Sequence, residues 1–159
     1  MSFDALTDWG TRTQEQAKDH RDESGGACST GSFDNDKDYF IEVDGQKFAG
    51  LHLLVDLWGA SHLNDLKHIE KALCDAAMAA GATILHCHLH HFTPNGGISG
   101  VLVLAESHIS IHTWPERDFA ALDIFMCGDC DPHDTLPVLE AAFKPAEMLI
   151  GEERRGIVK

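Results

Sequence analysis

Serine and histidine residues alternate in the segment Glu106–Glu116, which also carries acidic side chains. In an extended strand His108, Ser110 and His112 would lie on one face, because successive side chains point to opposite faces. A serine hydroxyl becomes an effective nucleophile when a base such as histidine lies nearby. Ser107 is not surrounded by the Gly-x-Ser-x-Gly turn of the α/β-hydrolases, which disfavours a hydrolase triad. A polar sheet face with hydrogen-bonded hydroxyls is the alternative that involves no reaction.

A metal site is a second possible source of chemistry, because the chain contains 11 histidines. His86, His88 and His90 would share one face of a strand. Cys127 and Cys130 have the spacing of metal-binding or redox-active cysteine pairs. There is one such pair and no His-Glu-x-x-His motif, and the pair does not begin a helix. We therefore predict no metal ion and no thioredoxin-like centre.

The hydrophobic pattern predicts the strands and helices that must position these side chains. Apolar residues recur at helical spacing over residues 63–80, with Gly81 where a C-terminal cap belongs. A second helix is predicted for residues 135–143, with Asp134 as its N-cap. Strands are predicted at 47–57, 83–92, 99–105, 108–114, 119–127 and 146–150.

Consecutive strands joined by short turns favour antiparallel pairing. We therefore predict an α+β fold, a two-layer sandwich in which a mainly antiparallel sheet carries helices on one face. A length of 159 residues suits one domain, which we place at residues 39–159. Residues 1–38 hold nine acidic and four basic residues and few apolar ones, so we predict a mobile arm there.

Composition excludes several classes of function. The net charge of −14 repels phosphate backbones, so we predict no nucleic-acid partner. No apolar run approaches the roughly 20 residues of a membrane span, so we predict no membrane partner. Five scattered cysteines and the absence of a signal-peptide pattern indicate a reducing compartment, and we predict a cytoplasmic location.

Several segments together resemble one family, the pyruvoyl-dependent S-adenosylmethionine decarboxylase proenzymes of the short prokaryotic class. The segments are Glu106-Ser107-His108, His112-Thr113-Trp114-Pro115-Glu116, Phe125-Met126-Cys127-Gly128, Gly96-Gly97-Ile98-Ser99-Gly100 and His52-Leu53. The likeness runs from about residue 50 to residue 158 without large gaps.

The resemblance implies that the precursor cleaves itself. The Ser107 hydroxyl would attack the Glu106 carbonyl to give an ester, and elimination followed by loss of ammonia would leave a pyruvoyl group. The products would be a β chain of residues 1–106 and an α chain of residues 107–159. By resemblance, His112 is the proton acceptor in processing and Ser99 supports it. A hydroxyl is a weak nucleophile, so its attack on the carbonyl needs a base and a group that stabilises the oxyanion.

The resemblance also implies how the mature protein acts. The pyruvoyl group would form a Schiff base with the substrate amine and accept the electrons released with carbon dioxide. Cys127 would donate the proton that replaces the carboxylate. Phe92 and Trp114 would contact the adenosyl group, and Glu116 would accept hydrogen bonds from ribose hydroxyls. Processed αβ units would form a homodimer with active sites at the interface.

The leading prediction is decarboxylation of S-adenosylmethionine for spermidine synthesis. The same pyruvoyl chemistry acting on arginine or ornithine is an alternative, because the processing residues would look the same. A non-catalytic homologue that binds metal through the histidines and Cys127 and Cys130, or that is regulatory, is a second alternative.

Overall fold

The computed structural model describes residues 39–159, and the predicted acidic arm of residues 1–38 lies outside them. The described chain runs through three strands, a helix, four strands, a second helix and a last strand. The strands are β1 (Ile41–Val43), β2 (Gln46–Phe48), β3 (Gly50–Trp58), β4 (Ile84–His91), β5 (Ile98–Leu104), β6 (Ser107–Trp114), β7 (Phe119–Met126) and β8 (Glu147–Arg155). The α-helices are α1 (Leu66–Ala79) and α2 (Leu136–Phe143), and short 3-10 helices span Pro115–Arg117 and Pro132–Thr135.

Six of the strands form one sheet in the order β4-β5-β6-β7-β3-β8. Each neighbouring pair in this sheet is antiparallel. Both α-helices contribute to the core on one face of the sheet. The predicted α+β sandwich is therefore confirmed.

The core forms because strands and helices each present one apolar side. Alternate residues of β6, such as Ile109 and Ile111, are completely buried on the face that carries the helices. Ile69 and Leu73 of α1 are buried four residues apart, which is the spacing of a single helical face. Gly81, with a φ of 77°, follows this helix in the left-handed conformation that the sequence pattern predicted.

Some predicted boundaries are wrong. Asp134 does not cap α2, because Thr135 occupies the N-cap position without a side-chain hydrogen bond. Pro137 in the first turn has no N–H group, which reduces the number of donors that a cap must satisfy. Asp131 instead caps the preceding 3-10 helix by accepting a hydrogen bond from His133 N at 2.9 Å. β8 continues to Arg155, because its charged second half pairs with the β3 backbone.

The opposite face of the six-stranded sheet, here called the open face, has no helix on it in the described residues. His86, His88 and His90 lie on this face, as their spacing predicted, because they pair with alternate residues of β5. The open face also carries apolar side chains that are more than a third exposed. They are Leu54, Trp58, Val103, Trp114 and Leu149.

A small hairpin precedes the large sheet, and residues 39–49 are here called the N-terminal strap. Its strands β1 and β2 are joined by Asp44 and Gly45, both with positive φ, which suits the right-handed twist of a tight hairpin. Phe48 is 2% exposed and lies under the guanidinium group of Arg154. The sequence predicted one strand here, but the chain forms β2 and then β3.

No helix in residues 39–159 is both long enough and apolar enough to cross a membrane.

Candidate active site

A two-residue turn between β5 and β6 carries the predicted cleavage site. Leu104 and Ser107 are the last paired residues of the two strands, so Ala105 and Glu106 form the turn. Glu106 has a φ of 60°, a left-handed conformation that costs a residue with a Cβ about 1 kcal/mol. Glu106 is exposed, whereas Ser107 is only 7% exposed. The peptide bond predicted to be cleaved therefore joins a strained exposed residue to a residue with a buried hydroxyl.

Cys127 lies next to this peptide bond because β7 ends where β6 begins. The strands are antiparallel, with His108 opposite Phe125. The backbone N–H of Cys127 donates a hydrogen bond to Ser107 Oγ at 3.1 Å. The Cys127 thiol donates to the carbonyl oxygen of Glu106 at 2.9 Å. The structure thus brings together the carbonyl, the hydroxyl and the thiol that the sequence singled out.

The surroundings keep the Cys127 thiol protonated. Burial raises the pKa of Cys127 above its ordinary value, and the hydrogen bond to Ser107 offsets part of this effect. The nearby Glu106 carboxylate and Cys130 also raise the pKa of Cys127. A neutral thiol is a proton donor, so this cysteine is suited to acid chemistry rather than to nucleophilic attack.

Ser99 and His112 form a second pair, opposite each other on β5 and β6. Ser99 Oγ and His112 Nδ1 are 2.8 Å apart. Both lie on the open face, whereas Ser107 points to the helices. Five residues of strand separate His112 from Ser107, or roughly 16 Å. Within one chain the structure therefore does not bring His112 to Ser107.

The residues predicted to contact the substrate lie at the far end of β6 from Ser107. Trp114 is the last residue of β6, and Glu116 follows it in a 3-10 helix. Phe92 follows β4 and is 47% exposed, with its ring 4.6 Å from that of His90. His112 and Trp114 lie 6.2 Å apart by ring centroid, so these groups extend the open-face site of the Ser99–His112 pair.

Sequence reasoning missed an aromatic row beside Trp114. The ring of Phe119 stacks on Trp114 at 5.3 Å and on Trp58 at 4.2 Å. The three side chains belong to neighbouring strands. The sequence feature that could have revealed the row is a large aromatic residue at an outward position of each of these apolar strands. The two tryptophans of the row are exposed and Phe119 between them is partly buried, so the row offers apolar ring surface to an aromatic ligand or a cation.

Polar contacts across β3, β6, β7 and β8 were also missed. Arg155 lies 3.0 Å from His52 Nδ1, and His52 Nε2 lies 3.6 Å from Asp123. Ser110 donates a hydrogen bond to Asp123 at 2.9 Å. Burial lowers the pKa of His108, with a further contribution from His52. The sequence could have indicated these contacts, because the polar residues interrupt strands that are otherwise apolar.

The predicted pyruvoyl group would be made from Ser107 itself. The buried Ser107 hydroxyl lies next to the Glu106 carbonyl, which accepts a hydrogen bond from the Cys127 thiol. These residues are therefore compatible with the formation of a pyruvoyl group at residue 107. No group of three or more histidine, cysteine or acidic side chains in residues 39–159 is arranged to hold a metal ion.

Comparisons with known proteins point to one family. Residues 51–156 match the family model described as S-adenosylmethionine decarboxylase. The chain is 46% identical over 116 residues to the S-adenosylmethionine decarboxylase proenzyme of Methanococcus maripaludis strain C5, covering 71% of this chain and 94% of that protein. The corresponding proenzyme of Thermomicrobium roseum is 40% identical over 113 residues, which cover 70% of this chain and 97% of that protein.

A solved structure agrees with the sequence matches. The crystal structure of the adenosylmethionine decarboxylase from Aquifex aeolicus VF5 superimposes with a TM-score of 0.62 and 34% identity, covering 70% of this chain and 94% of that one. The family match begins at Leu51, in β3, so the N-terminal strap lies outside it.

Proposed function

The chain belongs to the S-adenosylmethionine decarboxylase family, and from this we infer that it removes carbon dioxide from S-adenosylmethionine. The product, decarboxylated S-adenosylmethionine, supplies the aminopropyl group of spermidine. The observation that carries the inference is the meeting of Glu106, Ser107 and Cys127 inside the family match.

Cleavage begins with attack by Ser107 Oγ on the carbonyl carbon of Glu106. The new C–O bond forms as the peptide C–N bond breaks, so the amide becomes an ester and the serine nitrogen becomes a free amine. The Cys127 thiol supports this step, because it already donates a hydrogen bond to the oxygen that gains negative charge. The left-handed backbone at Glu106 supports it too, because strain in the reactant is relieved when the peptide breaks.

Elimination from the ester then releases the Glu106 carboxylate, and hydrolysis with loss of ammonia leaves a pyruvoyl group at residue 107. This group supplies a carbonyl that takes up the substrate amine and accepts electrons as carbon dioxide leaves. Cys127 remains beside residue 107 and delivers a proton to the substrate Cα. Its raised pKa suits this role, because the thiol still carries its proton at neutral pH.

We propose that the active unit is a homodimer that packs open face to open face. The exposed apolar residues of this face, such as Leu54 and Leu149, would be buried by a second copy. The pairing also supplies the missing base, because His112 and Ser99 lie too far from Ser107 of their own chain. A second copy can place its Ser99–His112 pair against the exposed turn at Glu106 that precedes Ser107 of the first, so each site would draw on both chains.

The same packing places the substrate-binding residues. Phe92, Trp114 and Glu116 lie at the end of the sheet that carries His112, so they would reach the cleavage site of the second copy together with it. The aromatic row favours a substrate with an adenine ring and a sulfonium cation over arginine or ornithine. A reducing compartment, the cytoplasm, suits the free cysteines Cys74, Cys87, Cys127 and Cys130.

Intact-mass measurement of the purified protein under denaturing conditions tests this function first. We expect two chains that divide between Glu106 and Ser107, the second blocked by pyruvoyl, and release of carbon dioxide from S-adenosylmethionine. The Ser107→Ala variant is expected to stay uncut and inactive, whereas Ser110→Ala on the same strand is expected to be cut. A wild-type protein that is cut but releases carbon dioxide only from arginine or ornithine would replace the proposed substrate.

A further inference from the structure

We propose that Tyr39 in the N-terminal strap is a positioning residue for Cys127. Tyr39 precedes residues 51–156, which match the family model. The proposal concerns the turn after β7, in which Gly128 and Asp129 are the central residues and Cys127 is the first. It rests on the proposed role of Cys127 in cleavage and proton delivery.

Tyr39 holds the turn through its backbone and its ring. The N–H of Gly128 donates a hydrogen bond to the carbonyl oxygen of Tyr39 at 2.8 Å. The Tyr39 ring covers the α-carbon of Gly128, since a Cβ added there would lie 3.1 Å from Tyr39 Cδ1. Gly128 also has a φ of 62°, so both its conformation and its contact with the ring favour glycine.

The turn is thereby held from two sides. On the inner side, Cys127 donates to Ser107 Oγ and to the Glu106 carbonyl. On the outer side, the next N–H along the chain donates to Tyr39. Two consecutive backbone N–H groups therefore donate to partners in different segments of the chain. Such anchoring fixes the position of the thiol on which both proposed reactions depend.

The strap that delivers Tyr39 is itself attached to the large sheet. Ala49 N donates to the carbonyl oxygen of Arg155 at 2.8 Å, and Val158 N donates to that of Lys47 at 2.8 Å. Phe48 is buried, and Arg154 donates a hydrogen bond to Gln46. These contacts link the strap to the C-terminal segment, so Tyr39 is presented by an ordered element.

Removing the ring should loosen the turn without removing any group that reacts. In the full-length chain we expect Tyr39→Ala to slow the conversion of precursor into two chains by about fivefold, as expected for loss of one packing contact. We expect Tyr39→Phe to be cut faster than Tyr39→Ala, because phenylalanine keeps the ring that covers Gly128. Val43→Ala is a matched control on the same hairpin, at an exposed site.

A second measurement separates positioning from activity. In a Ser107→Ala background, which keeps every chain uncut, the rate at which iodoacetamide alkylates Cys127 is followed by peptide mass spectrometry over a range of pH. Tyr39→Ala is expected to raise this rate about fivefold, because a loosened turn exposes the thiol. Val43→Ala is expected to leave the rate unchanged, and Tyr39→Phe is expected to raise it less than Tyr39→Ala does.

Different results of the two measurements would contradict the positioning role of Tyr39 and the proposed function. Equal half-lives and equal alkylation rates in Tyr39→Ala and wild type would overturn the positioning role. A wild-type chain that is never cut would overturn the proposed function, and the alkylation rates would still test the contact between Tyr39 and the turn. Faster alkylation in Val43→Ala as well would also overturn the proposal, because it would show general loosening of the hairpin.

Discussion

The Cys127 thiol lies 2.9 Å from the carbonyl oxygen of Glu106, on the peptide bond that Ser107 is proposed to break. This one contact connects the two stages of the proposed chemistry. Before the proposed cleavage the thiol donates to an oxygen that would gain negative charge, and afterwards the same thiol would lie beside residue 107, where we propose that substrate binds. A single acid can serve both stages because β6 and β7 hold its position relative to Ser107.

Replacing Cys127 by alanine should therefore impair both stages. We expect cleavage to slow, and the cut fraction to decarboxylate substrate roughly 100-fold more slowly, which is typical for loss of a general acid. The measurements are precursor half-life and kcat per cut chain. Cys130→Ala is the matched control, since Cys130 is also half-buried but makes no contact with the Glu106 carbonyl. Equal kcat values in Cys127→Ala and wild type would contradict the proton-donor role.

The pH dependence of turnover should follow the thiol. Burial raises the pKa of Cys127, so the thiol stays protonated through neutral pH and donates its proton over that whole range. We expect kcat to fall only at alkaline pH, as the pH rises through the raised pKa. A profile of kcat against pH for cut enzyme checks this, and Cys127→Ala should lose the alkaline limb. A loss of kcat near neutral pH in wild type would require another acid.

Strain at Glu106 can be tested by relieving it. Glycine adopts positive φ without a Cβ penalty, so Glu106→Gly stabilises the uncut turn. A loss of about 1 kcal/mol of strain predicts cleavage roughly fivefold slower than in wild type. Glu106→Gln keeps the Cβ and the strain but removes the charge, so it separates the two effects. Equal half-lives for the glycine and glutamine variants would show that strain makes no contribution.

A site shared between two chains makes a prediction about mixed dimers. Ser107→Ala and His112→Ala should each fail to be cut when expressed alone. When they are co-expressed, one site of a mixed dimer combines an intact Ser107 with an intact His112 of the other copy. We expect the His112→Ala chain to be cut in that mixture, with Ser107→Ala uncut. Mass spectrometry of a mixture with no cut chain would contradict the shared site.

The sequence predicted the parts that depend on local patterns. Alternation in β6 placed His108, Ser110 and His112 together, and helical spacing predicted α1. The separation of Ser107 from His112 also follows from alternation, because five positions put two residues on opposite faces. Their proposed meeting depends on a second copy, which no local pattern describes.

The parts that depend on distant contacts could not be predicted. The contact between Tyr39 and Gly128 joins residues far apart in the chain and involves a backbone carbonyl, which has no signature in the sequence. The second half of β8 was missed because its residues are charged. They form a strand through backbone pairing with β3, and hydrophobic periodicity does not report this.

His133 links the segment after Cys130 to β8 and should make stability depend on pH. Its ring nitrogens lie 2.8 Å from Asp131 and 2.8 Å from Glu152, and the Asp131 hydrogen bond, offset in part by burial, raises the pKa of His133. A raised folded-state pKa stabilises the fold fully below the unfolded pKa, and this stabilisation is lost as pH rises through the folded value. His133→Gln should therefore lower the free energy of unfolding at about pH 6 by no more than about 1 kcal/mol, because the groups are nearly half exposed. Urea denaturation should show a smaller difference at about pH 8.5, with His86→Gln on β4 as the control. A difference that is the same at both pH values would mean that His133 stabilises the fold by packing, and not through its charge.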